Sequence, residues 1–297
     1  MITQADQLLE GAIDLHCHGY PEISLDVKMR VEDLEAAQLA AEAKMKGFVL
    51  KSHMWPTVGR VYQLRNQIKG IEVWPSITLN SSVGGFSPWA TESALKQGAK
   101  VIWMPTWSAK NDLQREGFSH FMKTHLPTLN KYRIEDGLTV FNDSGEIDWR
   151  VREIMTLAKD YDVALSTGHL SPEEGVALGR EAKKIGLKKL IFGHPDSKSV
   201  GGQMEHIKEI AEMNFFVEFT FLGMLPAFQR ISPEEICRRI KEIGASRSIL
   251  TTDTFFEWTP PPSEMMRMFV ATILEKGINR DEIETMIRRN PEELLNI

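Results

Sequence analysis

Eight short apolar runs alternate along this chain with stretches patterned as helices, and that alternation admits few architectures. The runs are Ala12–His16, Gly47–Lys51, Val73–Leu79, Val101–Pro105, Val163–Thr167, Lys189–Gly193, Phe215–Phe219 and Ser248–Thr252. A parallel sheet covered by crossover helices buries both of its faces, so its strands read as nearly continuous hydrophobic runs. Eight such units in 297 residues predict an α/β fold: a (β/α)8 TIM barrel occupying residues 1–297 as a single domain. Between the first two runs, Val31–Lys46 carries alanines and leucines at helical spacing. Ser171-Pro172-Glu173-Glu174 and Ser232-Pro233-Glu234-Glu235 each offer a capping hydroxyl, a proline at the first helical position and a glutamate for a capping box. Asn290-Pro291-Glu292-Glu293 repeats the device with asparagine as the expected cap.

The rhythm breaks once. Residues 107–149 separate the fourth and fifth runs by a connection far longer than βα units need. Within it, Asp143-Ser144-Gly145 lies between Leu138–Asn142 and Glu146–Asp148, the pattern of a hairpin turn. An excursion over the barrel mouth is the expectation.

Composition removes several classes of function. A net charge of −6 without a basic stripe argues against nucleic acid as a partner. No uncharged run is long enough to span a bilayer. Two cysteines, Cys17 and Cys237, cannot make a disulfide framework, which suits a reducing compartment. Met1–Asp6 lacks the basic and apolar parts of a signal peptide, so the expectation is a cytoplasmic protein acting on a small-molecule substrate, with homo-oligomerisation left open.

The chemistry gathers where the runs end. In a closed parallel barrel the active site lies at the carboxyl ends of the strands. The first run ends in His16 and His18, the second in Lys51 and His53, the fifth in His169, the sixth in His194 and the eighth in Asp253. Residues i and i+2 of a strand share a face, so His16 and His18 project together while Cys17 points away. Two imidazoles aimed at one point make half of a transition-metal site. Five of the eight histidines fall at such ends. Glu218, in the apolar seventh run, needs a partner or a raised pKa. Trp55, Trp103, Trp107 and Trp258 could wall a pocket or pack a core, and the loop Asn80–Ser87 precedes a helix starting near Ser87-Pro88, where an anion could sit.

The order H-x-H, a later strand-end histidine, another histidine and a final aspartate resembles the amidohydrolase superfamily of metal-dependent TIM-barrel hydrolases, and the closing Asn290–Leu295 is similar to that superfamily's N-P-A-x-x-L ending. Asn80–Gly85 and Val101–Thr106 resemble motifs of an uncharacterised branch known only as metal-dependent hydrolases. The resemblance implies His16, His18 and His169 as metal ligands, and Asp253 as a further ligand or general base. It implies His194 as a ligand in a two-metal site, or otherwise a group that polarises the substrate or orients water. Zinc suits the imidazole-rich set best, with manganese, iron or nickel compatible and one or two ions per chain. The superfamily's bridging lysine belongs on the fourth strand, yet Val101–Pro105 has none. Lys51 therefore carries three readings: a catalytic anchor for an anionic substrate or oxyanion, a metal bridge from another strand, or a snorkelling structural lysine. His53 stays open between ligand and substrate contact. The implied activity is hydrolysis of an amide, cyclic amide or ester. The alternatives are a metal-dependent decarboxylase, a phosphoesterase, and a barrel that binds metal and ligand without turnover.

Overall fold

The structure is a computed structural model that describes residues 2–128, 136–226 and 231–297. Eight parallel strands make one sheet in the order β1 to β8, alternating with helices as a (β/α)8 barrel. They are β1 Ile13–His18, β2 Gly47–Lys51, β3 Glu72–Thr78, β4 Val101–Trp103, β5 Ala164–Ser166, β6 Leu190–Phe192, β7 Phe216–Thr220 and β8 Ser248–Thr251. The first strand meets the last: Asp253 N–H donates to His16 O at 2.9 Å, His18 N–H donates to Thr254 O at 3.2 Å, and Cys17 bridges Thr254 in parallel. Each of the eight apolar runs became a strand. The ends moved by a residue or two, most at β4, β5 and β6, where the chain turns away after three residues.

Contacts group the chain into two compact units whose boundaries fall inside β3 and at Glu218 in β7. The first unit comprises residues 1–52, 56–76 and 218–297, and the second residues 53–55 and 77–217. In the first, β1 and β2 are wholly buried. Between Asp14 and Cys17 the register against β2 slips, so that two residues of β1 stand opposite one of β2. Such a bulge leaves an amide without its ladder partner and re-aims a side chain. Asp14 supplies the missing acceptor: its Oδ1 takes the His16 N–H at 3.0 Å and the Thr252 N–H at 3.2 Å, while the Thr252 hydroxyl donates to Oδ2. The sequence places Asp14 inside an apolar run, and the bulge explains why a carboxylate belongs there.

In the second unit, β4, β5, β6 and the start of β7 pair in register. The long excursion holds two helices that the sequence pattern did not announce, Lys110–Arg115 and Phe118–His125. The expected hairpin is present as a single antiparallel bridge, Phe141 to Ile147, closed by Asn142 N–H to Glu146 O at 2.8 Å. Residues 129–135 of the excursion lie outside the described residues. The helix between the first two strands is shorter than its pattern, Asp33–Glu42.

The caps came out unequally. Ser171 and Glu174 form the reciprocal capping box, and Ser232 accepts from Glu235 N–H. Asn290 is no cap. It continues a helical path out of the π-turn Thr285–Arg289, and its Nδ2 donates to Ala245 O at 2.8 Å and Ser248 O at 2.7 Å. The asparagine thus ties the C-terminal helix to the start of β8.

Burial pushes the Asp14 carboxyl up to about 6, against the hydrogen bonds from Thr252 and His16 that favour its charged form. A carboxyl raised in the fold adds stability that is complete below its unfolded value and is lost as pH climbs through the folded value. Asp14→Asn removes that dependence, because its carboxamide oxygen still accepts the two amides. The thermal midpoint of Asp14→Asn should therefore gain on that of the parent as pH rises from about 4 to about 7. A flat difference over that range in calorimetric scans contradicts it.

Candidate metal centre

The first unit brings His16, His18, Lys51 and Asp253 together, and it adds two carboxylates to them. His16 and His18 leave the end of β1 on one side, their ring centroids 5.3 Å apart. His16 Nδ1 donates to Glu218 Oε1 at 2.9 Å, and Thr251 Oγ1 donates to the same oxygen at 2.8 Å. His18 Nδ1 donates to Glu22 Oε1 at 3.2 Å. Both glutamates are buried, Glu218 completely. An imidazole that gives its Nδ1 proton to a carboxylate presents a lone pair at Nε2. Those Nε2 atoms face Asp253 Oδ1, at 2.9 Å from His16 and 3.5 Å from His18. Lys51 Nζ stands 2.9 Å from His16 Nε2.

One proton cannot serve all of these atoms. If His16 Nε2 carries a lone pair, Lys51 donates to it well, but Asp253 Oδ1 then faces an acceptor. If His16 is an imidazolium, Asp253 is served and the ammonium of Lys51 faces a donor. A cation accepted jointly by His16 Nε2, His18 Nε2 and Asp253 Oδ1 would remove the conflict, and two imidazoles with a carboxylate fit zinc and its neighbours. Burial and the Lys51 ammonium oppose protonation of His16, yet Asp253 and Glu218 outweigh them and hold its pKa above the ordinary value. The carboxylates on either side of this ring favour positive charge.

Asp253 sits at φ +51°, the left-handed region that an L-residue with a side chain seldom takes. Aspartate tolerates it better than most residues. That backbone strain is consistent with a side chain held for use. Lys51 is 1 % exposed, so the snorkelling reading is wrong: a snorkelling lysine keeps its head in water. Burial lowers its pKa, and Asp253, Glu218 and Glu22 act against that. Cys17 is buried, as its place on the opposite side of β1 led us to expect.

The second unit holds the other three residues singled out from the sequence. His169 follows β5 after Gly168, which sits at φ +57° with its α-carbon so close to Met104 O and Pro105 O that a Cβ would strike both. The tight turn lets His169 N–H donate to Pro105 O at 2.9 Å. His169 Nδ1 donates to Asp112 Oδ2 at 2.7 Å. Burial works to raise the Asp112 pKa, but the hydrogen bond and charge of His169 and the Ser119 amide keep it below the ordinary value. His194, at φ +24°, has Nδ1 3.1 Å from Ser197 Oγ, and its ring meets that of His169 edge-on at 5.1 Å. His53 stacks on Phe118 at 4.4 Å, while its carbonyl accepts from Asn80 Nδ2 and Trp107 Nε1.

The loop at Asn80 does not offer a bare helix end. Ser87 caps the helix Pro88–Lys96 itself by accepting from Ala90 N–H, which weakens the case for an anion there. Trp103 and Trp107 are core residues, whereas Trp55 and Trp258 are exposed.

Glu22 and Asp112 were not anticipated. Asp112 lies 57 positions from its histidine, in a connection without a pattern, and no local signal marks it. Glu22 did leave a trace, as a carboxylate four positions after a strand-end histidine.

A family profile described as a family of unknown function, DUF6282, matches residues 11–218. No curated protein matches the chain. Among solved structures, an amidohydrolase from Pseudomonas aeruginosa superposes with a TM-score of 0.67 at 10% identity, over 99% of this chain and 98% of that one. Dipeptidase AC, a metallopeptidase, gives 0.63 at 11% identity, over 97% and 98%. A 2,6-dihydroxybenzoate decarboxylase complexed with 2,6-dihydroxybenzoate gives 0.60 at 11% identity, over 97% and 100%. At such identities the likeness concerns the fold, which this chain shares with hydrolases and a decarboxylase alike. Among the described residues no helix is long and apolar enough to cross a membrane.

The glutamate behind His16 gives a direct check. Glu218→Gln keeps an acceptor but loses the charge that favours the Nδ1–H form, so zinc affinity should fall roughly 10- to 100-fold with the fold intact. Competition with a chromophoric chelator reads this, and an unchanged affinity contradicts the role given to Glu218.

Proposed function

This chain belongs to the DUF6282 family, and we propose that it is a metal-dependent hydrolase that cleaves an amide, cyclic amide or ester bond of a small molecule. The observation that carries this reading is the meeting of His16 Nε2, His18 Nε2 and Asp253 Oδ1, with each imidazole backed at Nδ1 by a buried glutamate. His16, His18 and Asp253 would hold the cation. His169 and His194, just past the ends of β5 and β6 and with Nδ1 already engaged, are the further donors this reading assigns. Zinc is the first choice for such a set. When bound, a divalent cation supplies Lewis acidity that brings ionisation of water down to about pH 7.

The chain's own residues have separate tasks. Asp253, the least buried member of its cluster, accepts the proton of the attacking water at a carboxylate oxygen and returns it to the leaving group. Lys51 brings a buried ammonium beside His16, where it stabilises negative charge that develops on the carbonyl oxygen of the substrate. Glu218 and Glu22 keep the two imidazoles in one tautomer throughout. His53, stacked on Phe118, is assigned a substrate contact. The single-domain organisation, a small-molecule partner and a cytoplasmic setting belong to the same reading.

One observation supports a second reading. A fully buried lysine beside a candidate metal ligand could equally anchor a substrate carboxylate, as a decarboxylase requires. Release of carbon dioxide without net uptake of water separates the two.

Protein purified without chelator should carry about one equivalent of metal by elemental analysis, in keeping with a site that lacks the usual bridge. His16→Ala and Asp253→Asn should each lose that metal and all turnover across a panel of amides, lactams and esters. Full metal content with parental turnover in either variant contradicts the assignment.

A further inference from the structure

The sequence predicts residues 107–149 as an excursion over the barrel mouth, and two of its residues, Asn111 and Asp112, hydrogen-bond to His169. Asp112, in the helix Lys110–Arg115, is completely buried and uses both carboxylate oxygens. Oδ1 accepts the Ser119 N–H at 2.7 Å, and Oδ2 accepts the Phe118 N–H at 3.1 Å and the His169 Nδ1–H at 2.7 Å. Its neighbour Asn111 holds the backbone of the same histidine: Nδ2 donates to His169 O at 3.1 Å and to Ser199 O at 2.7 Å. Gly117 makes the close approach possible, since a Cβ there would lie 2.6 Å from Asp112 Oδ2 and 2.5 Å from Ser199 Oγ. Two consecutive residues of the excursion therefore grip the ring and the carbonyl of His169.

We propose that Asp112 is a positioning residue that fixes His169 as its Nδ1–H tautomer, so that the excursion between β4 and β5 prepares this histidine to donate Nε2 to a cation. The second half rests on the reading of His169 as a metal ligand. The first half stands on the hydrogen bonds alone. A carboxylate between backbone amides and an imidazole has only donors around it, so the ring must present a proton at Nδ1. Capping the helix Phe118–His125 would need one acceptor, and a serine or asparagine could provide it. The second oxygen, 2.7 Å from the ring, is what a cap does not explain.

Asp112→Asn is the informative change because it keeps the shape and divides the carboxylate into one acceptor and one donor. Its oxygen goes to Ser119 N–H, where an NH2 group would oppose another donor, and Phe118 N–H retains Ser199 Oγ at 3.2 Å. The carboxamide NH2 then faces His169 Nδ1, which takes the lone pair and sends the proton to Nε2, closing it to a metal.

The experiment is two-bond proton–nitrogen NMR of metal-free protein labelled at histidine, with zinc affinity measured in parallel. The parent should show His169 with its proton at Nδ1. Asp112→Asn should show it at Nε2, with zinc affinity reduced roughly 10- to 100-fold. A parent His169 in the Nε2–H form overturns the inference without any variant, and so does an Asp112→Asn protein with parental tautomer and affinity. A tautomer that switches without a change in zinc affinity overturns the link to metal. His16→Ala serves as the control: if it too binds zinc like the parent, the hydrolase reading has failed, and the tautomer result still decides the role of Asp112.

Discussion

An imidazole has two nitrogens, and the hydrogen bond made at one decides what the other can do. Much of the candidate site follows from that constraint. His16, His18 and His169 each give Nδ1 to a carboxylate, supplied by Glu218, Glu22 and Asp112. The three acids come from a strand, from the loop after β1 and from the β4–β5 excursion. Three unrelated segments thus impose one tautomer, and a tautomer with its lone pair at Nε2 is the form that binds metal. A core histidine needs only a hydrogen-bond partner of any kind, and a buried carboxylate is an expensive choice for that duty.

The backbone is shaped to the same end. The bulge in β1 separates the His16 amide from its sheet partner, and Asp14 restores the bond. Gly168 permits a turn that no side chain would fit, and His169 follows it. Asp253 and His194 both occupy positive φ. Each such position costs of order 1–3 kcal/mol, and the surrounding barrel must hold it in place. Strain, bulge and close approach fall beside the candidate chemistry. The wholly buried strands β1 and β2 supply the rigidity that this requires.

The barrel was legible because period and composition report burial, and burial on both sheet faces leaves few alternatives. The H-x-H pair was legible because strand geometry converts a spacing of two into a shared direction. What stayed hidden has physical reasons. Asp14 sits in a run that reads as apolar, since a bulge is a register defect and register is a property of two strands. Asp112 meets His169 across 57 positions through two short helices with no periodic signature. Asn290 has the local grammar of a cap, but tertiary acceptors at Ala245 and Ser248 claim its side chain. Lys51 could be placed at a strand end from sequence, while the burial that removes the snorkelling reading is visible only in three dimensions.

The central claim is that His16 Nε2, His18 Nε2 and an Asp253 oxygen share one cation. A crystal structure of zinc-loaded protein, with anomalous data at the zinc edge, tests it most directly. The expected result is a single strong peak about 2.0–2.2 Å from all three atoms, with the Lys51 ammonium displaced from His16 Nε2. Zinc at saturating concentration with no peak there, and Lys51 still bonded to His16, would contradict the account.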